Sequence, residues 1–249
     1  MPTPDPHPEL VVEHLGRMPY AEAYVAQSDR VTRVLAAREA AAPRPFAGFL
    51  LLVEHDPVVT VSNRPSAMAN LVATPEMLAR QGVALERTDR GGDITYHGPG
   101  QIVVYPILDL NLLNLGLHDY MRLLEQAVID TCADWNIPTQ REPGATGVWV
   151  PAGPIHPTAS AKIAAMGVRV RRWVSMHGLA LNVETNLDHF RLIVPCGLVG
   201  RDVTSMRREL GDATPSLDRV ERALVDHLRK AIALAHKSAI EKRRNAASS

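Results

Sequence analysis

The chain lacks long apolar runs, excess charge of either sign and any density of cysteine. No stretch approaches the roughly 18 apolar residues that a membrane-crossing helix requires. Lys plus Arg and Asp plus Glu each number 27. That balance argues against general nucleic-acid or anionic-membrane binding, which leaves a basic excess. The only cysteines are Cys132 and Cys196, far from metal-type spacing, so neither a disulfide framework nor a zinc knuckle is expected. Met1 to Glu9 carries prolines and acidic residues and no basic one, unlike a signal peptide, so a cytoplasmic location is expected. Lysine is scarce as well. The 27 basic residues less four lysines (Lys162, Lys230, Lys237, Lys242) leave 23 arginines, and Lys162 is the only lysine before position 230. Arginine effectively cannot give up its proton and lysine can, so a lone lysine among arginines asks for a chemical reason.

What is present is an ordinary globular chain of 249 residues, 46% hydrophobic and 22% charged, long enough to bury a core without staples. Helical spacing predicts helices over 20–37 and 118–135, and a third from Thr74-Pro75 to near Gly82. Apolar and β-branched runs predict strands at 46–54, 58–61, 83–88, 102–108 and 147–150. Two more, 163–174 and 178–183, are expected to meet at Ser175-Met176-His177. Thr214-Pro215 reads as the cap of a last helix with Leu217, Val220, Leu224 and Leu228 on one stripe, and residues 239–249 as a frayed tail. Pro151 to Ser160 has no periodicity and reads as an exposed loop. The fold class is α/β (α+β), a mixed sheet flanked by helices, in one domain spanning 8–238.

Three segments could carry chemistry. Arg90-Gly91-Gly92-Asp93-Ile94-Thr95-Tyr96-His97-Gly98-Pro99-Gly100-Gln101 is glycine-dense but has neither dinucleotide nor P-loop spacing. Its glycines allow close approach of the backbone to a ligand and could present N–H donors to an oxyanion. Lys162 to Val183 contains small residues at Ala164, Ala165 and Gly167, which leave room for a ligand or for a tight strand crossing. Ile193-Val194-Pro195-Cys196-Gly197 sets a thiol on a turn, whereas Cys132 lies on an apolar helical stripe and reads as inert. A thiolate is an apt first acceptor for an acyl group; an ammonium beside it favours the anion, and a neutral lysine can take a proton from an incoming amine. His97 and His177 have no metal-type partners, so no metal is expected; they read as shaping or hydrogen-bonding groups, with proton transfer as the alternative. Arg169 and Arg171 leave one face of their strand; with Arg172, Arg207 and Arg208 they suggest a basic face near the thiol.

Taken together, these segments resemble the lipoyl(octanoyl) transferase family, also called lipoate-protein ligase B. The R-G-G-x-x-T-Y-H-G-P-G-Q signature is complete, and the K-I-A-x-x-G-V-R-V-x-R, H-G-L-A-L-N and P-C-G blocks follow in the family's order. The resemblance runs from Val11 to Ser205. The 151–160 loop is longer than the family's usual turn, Trp173 and Met176 replace different residues, and Ser62-Asn63 stands where a glycine is common. The resemblance implies the biotin/lipoate protein ligase-like fold. It implies octanoyl transfer from octanoyl-acyl carrier protein to a lysine of lipoyl domains, in 2-oxoacid dehydrogenase complexes and glycine-cleavage H protein. Cys196 is then the thioester nucleophile and Lys162 its tuning residue. Substrate binding falls to Arg90, Gly91, Gly92, Asp93, Ile94, Thr95, Tyr96, His97, Ala165, Met166, Gly167, Gly178, Leu179 and Ala180. No cofactor is implied, and a monomer is expected. An ATP-dependent ligase and a non-catalytic acyl binder are the alternatives.

Overall fold

The computed structural model describes residues 8–40, 45–194 and 202–247. Strand β2 (Phe46–His55) explains the architecture, because its side chains alternate between two cores. Leu50 and Leu52 point to one core and Phe49, Leu51 and Val53 to the other. A strand covered on both faces needs a continuous apolar run, which is what 46–53 supplies. Around it lies a mixed sheet in the order β1-β2-β6-β10-β9-β8-β7. Its other members are β1 (Glu9–Met18), β6 (Gln101–Leu108), β7 (Gln140–Glu142), β8 (Ala145–Val150), β9 (Ala161–Arg171) and β10 (Val174–Asn182). The short β11 (Asp202–Val203) pairs parallel with β9, Val203 opposite Lys162. A second sheet, β4-β3-β5, joins β3 (Val58–Ser62), β4 (Ala84–Thr88) and β5 (Ile94–His97).

Helix α1 (Tyr20–Glu39) covers one face of the main sheet. Helices α3 (Leu117–Ala133) and α5 (Leu217–Ala247) cover the other, with Tyr120, Leu124, Val128 and Cys132 packed beside Val220, Leu224 and Leu228. The short α2 (Pro75–Arg80) starts as expected, the Thr74 hydroxyl accepting from Met77 N. The C-terminal end of α1 is pinned. Arg38 donates twice to the Asp109 carboxylate, both at 2.8 Å, and to the carbonyls of Arg172 (2.7 Å) and Trp173 (3.4 Å).

Several expectations need correction. β9 and β10 meet at Arg172-Trp173, not at Ser175-Met176-His177. Both turn residues have positive φ (53° and 60°), the geometry of a two-residue hairpin turn without its usual Asn or Gly. Ser175 instead sits inside β10, its hydroxyl donating to Pro106 O (2.7 Å) and accepting from Leu108 N (2.9 Å). β1 has no strand expectation behind it: it is an edge strand with a bulge at Gly16, so its side chains lack clean alternation. Part of the glycine-rich segment is the regular strand β5. The residue before α5 is Ser216, whose carbonyl accepts from Val220 N (3.2 Å), while Thr214 bonds back to Gly211 O (2.7 Å). The tail expected to fray past position 238 is helical through Ala247, with Ala239 buried and Arg243 donating to Asn111 O (2.8 Å). The additional helix α4 (Met206–Leu210) is capped by Ser205.

Candidate active site

The glycine-rich segment and the β9–β10 pair meet where both motifs require close packing. A Cβ on Gly167 would lie 2.5 Å from Gly91 O, and one on Gly91 would lie 2.8 Å from Val168 O. Gly91 N donates to Val168 O at 3.0 Å. On β10, a Cβ at Gly178 would come within 2.1 Å of Val104 O. These glycines permit backbone to meet backbone. Gly178→Ala is therefore expected to destabilise the protein by about 2–3 kcal/mol, by overpacking against main chain that cannot rotate away. A denaturant melt checks this, and an unchanged midpoint refutes it.

Beside that contact lies a narrow slot lined by Tyr20, Arg90, Gly92, Ile94, Thr95, His97, Val103, Tyr105, Ala165, Met166, Gly167, His177, Gly178, Leu179 and Ala180. It brings together eleven of the fourteen substrate-binding residues expected from the sequence. Gly91 and Asp93 line a wider adjoining cleft with Lys162, Arg64 and Thr146; Gly92, Met166 and Gly167 border both spaces. Tyr96 lines neither. Its hydroxyl bonds His189 Nδ1 (2.7 Å) and its ring stands edge-on to Phe190, in the core under the small sheet. Tyr20, Val103 and Tyr105 join the slot without a sequence signal. Tyr20 begins α1, and strand alternation turns Val103 and Tyr105 toward α1.

The polar wall of the slot is a cluster of buried rings. Tyr20 stacks on His97 at 6.3 Å, and His55 lies 5.7 Å from His97. His55 Nδ1 donates to Met18 O (3.2 Å), and Nε2 accepts from the Tyr105 hydroxyl (2.6 Å). His177 Nε2 meets Asp89 Oδ1 at 2.8 Å, and its Nδ1 lies 3.5 Å from the Tyr20 hydroxyl. His177 has positive φ (59°), its N–H drawn out of the ladder to Gln27 Oε1 at 2.8 Å. Burial lowers all three histidines. His55 falls to about 4. His97 falls to about 3, with His55 adding to burial. His177 also falls to about 3 through burial, Arg169 and Arg90, the Asp89 carboxylate beside it being already paired with Arg169.

The slot is therefore uncharged on its histidine side at neutral pH. Folded pKa values below the ordinary 6.5 mean that the unfolded chain takes up these protons first. Stability is then complete above about pH 6.5 and falls as pH drops toward 4, by about 1.4 kcal/mol per pH unit per histidine. Denaturation midpoints measured from pH 7 to pH 5 should fall steeply. A flat profile would mean these rings are already charged in the fold.

Arg90 holds the small sheet rather than reaching into solvent, donating to Thr60 O (2.9 Å), Thr60 Oγ1 (3.1 Å) and Gly91 O (3.0 Å). Asp93 accepts from Asn70 Nδ2 at 3.0 Å. Lys162 is buried, 6% exposed, with Nζ 4.7 Å above the Trp149 ring. Its aliphatic stem passes Gly147, where a Cβ would lie 3.4 Å from Lys162 Cε. Cys196 lies outside the described residues. Val194, before it, donates to Asn70 O at 2.7 Å; Thr204, after it, donates from its backbone to Lys162 O at 2.9 Å. Among the described residues no three His, Cys, Asp or Glu side chains converge as a metal site would require, and no helix is long and apolar enough to cross a membrane.

The expected basic face does not form as one surface. Arg169 turns inward to Asp89 and Met176 Sδ. Arg171 ends β9 while Lys162 is its second residue, about 30 Å away at roughly 3.3 Å per residue. Arg208, in α4 just after β11, belongs to the lysine end. Trp173, one of the departures from the family pattern, is exposed at the hairpin tip and does not line the slot.

Residues 30–229 match the family described as lipoyl protein ligase A/B catalytic domain. The chain belongs to that family. A Christiangramia forsetii octanoyltransferase is 42% identical over 226 residues, covering 89% of this chain and 95% of the relative. A Koribacter versatilis octanoyltransferase is 52% identical over 164 residues, 65% of this chain and 63% of the relative. With such relatives this lipoyl protein ligase A/B member is an enzyme of the acyltransferase class. A bipartite lipoate protein ligase from Thermoplasma acidophilum superposes with TM-score 0.64 at 18% identity, covering 91% of this chain and 84% of that one. Lipoate-protein ligase A bound with ATP gives 0.62 at 17% identity, covering 91% and 85%. At those identities the likeness shows the shared ligase fold, the mixed α/β architecture expected from the sequence.

Proposed function

We propose that the chain transfers an octanoyl group from octanoyl-acyl carrier protein to a lysine of a lipoyl domain, through a thioester on Cys196. The observation that carries this reading is the shared border of the two spaces. Met166 and Gly167 separate a narrow, largely apolar slot from the cleft that holds Lys162. An alkyl chain in the slot would present its carbonyl at that border. The Cys196 thiolate attacks the octanoyl thioester; its C–S bond to the acyl carbon forms as the carrier's C–S bond breaks, and the carrier sulfur takes a proton from the Lys162 ammonium, which leaves the neutral amine that the second step requires. The acceptor amine then attacks the Cys196 thioester; the C–N bond forms, the C–S bond breaks and Lys162 takes the amine's proton. The octanoyltransferase names of the relatives support the acyl group, and the P-C-G and K-I-A blocks support the two residues.

Intact mass after incubation with octanoyl-carrier protein tests the reading. One octanoyl adduct, lost on adding lipoyl domain, is expected. Octanoyl-adenylate formed from octanoate and ATP, with no adduct, would replace the transferase with a ligase.

A further inference from the structure

Two motif residues remain without a role in this chemistry: the closing Gln101 of the glycine-rich signature and the closing Asn182 of H-G-L-A-L-N. The fold brings them together in a buried relay whose direction is set by backbone carbonyls, which can only accept. Thr204 O accepts from Asn182 Nδ2 at 3.0 Å, so Asn182 Oδ1 is the free acceptor of that amide. Gln101 Nε2 donates to Asn182 Oδ1 at 2.8 Å and to Tyr96 O at 3.3 Å. Gln101 Oε1 is thereby turned to His97 Nδ1, 2.8 Å away. An amide oxygen cannot donate, so Nδ1 carries the hydrogen.

We propose that Gln101, Asn182 and Thr204 are positioning residues that hold His97 with its proton on Nδ1, leaving Nε2 as the lone-pair nitrogen where the ring lines the slot. Thr204 anchors the far end. It is fully buried, its N–H donates to Lys162 O, and its hydroxyl bonds Glu209, which pairs with His156 at 2.7 Å. One residue thus ties the histidine's tautomer to the strand that carries the lysine and to the 151–160 loop. Burial keeps His97 from protonating at neutral pH. The ring then accepts hydrogen bonds and does not donate from Nε2. Its partner in the slot is an N–H, an amide of the carrier's arm or the acceptor amine, and not the acyl carbonyl oxygen. The identity of that partner rests on the acyl-transfer reading; the tautomer does not.

Nitrogen-15 shifts of histidine-labelled protein at pH 7 read the tautomer directly. His97, assigned by its loss in His97→Phe, is expected as a neutral ring protonated at Nδ1. A ring protonated at Nε2, or at both nitrogens, overturns the proposal and leaves the transferase reading standing. Gln101→Met, nearly equal in volume, removes the acceptor. It should shift His97 toward the Nε2–H form and lower kcat about tenfold or more, with KM within about twofold. A fall in kcat with the tautomer unchanged would make Gln101 structural and overturn its positioning role. Should Gln101→Met fail to fold, the wild-type spectrum still decides.

Discussion

Lys162→Ala is expected to lower kcat for octanoyl transfer by at least about a hundredfold, within the range a positioned proton acceptor supplies. Lys162→Arg should be nearly as damaging. Arginine keeps the positive charge that favours a thiolate but cannot exchange its proton. Steady-state transfer to a lipoyl domain, with folding checked by circular dichroism, measures both variants. If Lys162→Arg keeps most of the activity, the residue acts by charge alone and its role as base is lost.

Cys196→Ala should abolish both the octanoyl adduct and turnover, whereas Cys132→Ala should retain most of both. The contrast is chemical. Cys132 is fully buried in α3, and burial together with Asp134 and Glu209 pushes its thiol up to about 12, so no useful thiolate exists at neutral pH. Its replacement should cost only about 1 kcal/mol of stability from lost packing. Mass spectrometry with octanoyl-carrier protein separates the two. An adduct that survives in Cys196→Ala and disappears in a folded Cys132→Ala would exchange the two assignments.

The parts of this fold legible in the sequence are those where a local pattern has one physical meaning. The double-faced run of β2, the Thr74-Pro75 start of α2 and the stripe of α3 each belong to that kind. The hairpin tip was not legible, because Arg172 and Trp173 take positive φ with no glycine or asparagine to announce it. The candidate site divides the same way. Its expected substrate-binding residues come from short sequence segments and line the slot or the adjoining cleft, apart from Tyr96, whose side chain strand alternation sends to the opposite core. Tyr20, Tyr105 and Asp89 enter through packing alone; no spacing rule links the start of a helix to a strand six elements later. The basic face failed for a related reason. Strand alternation predicts which side an arginine leaves, but not that Asp89 will be waiting there for Arg169.

Helix α1 behaves mechanically as a strut fixed at both ends. Tyr20 at one end is wedged into the ring cluster, with its hydroxyl 2.7 Å from Thr88 Oγ1. Arg38, about 27 Å along the axis at 1.5 Å per residue, is bolted to Asp109 and to the β9–β10 hairpin. Lifting this wall would break the doubly bonded Arg38–Asp109 pair and the Tyr20 packing together. The helix side of the slot is thus a wall held shut, while Gly92, Met166 and Gly167 join the slot to the cleft that carries the lysine.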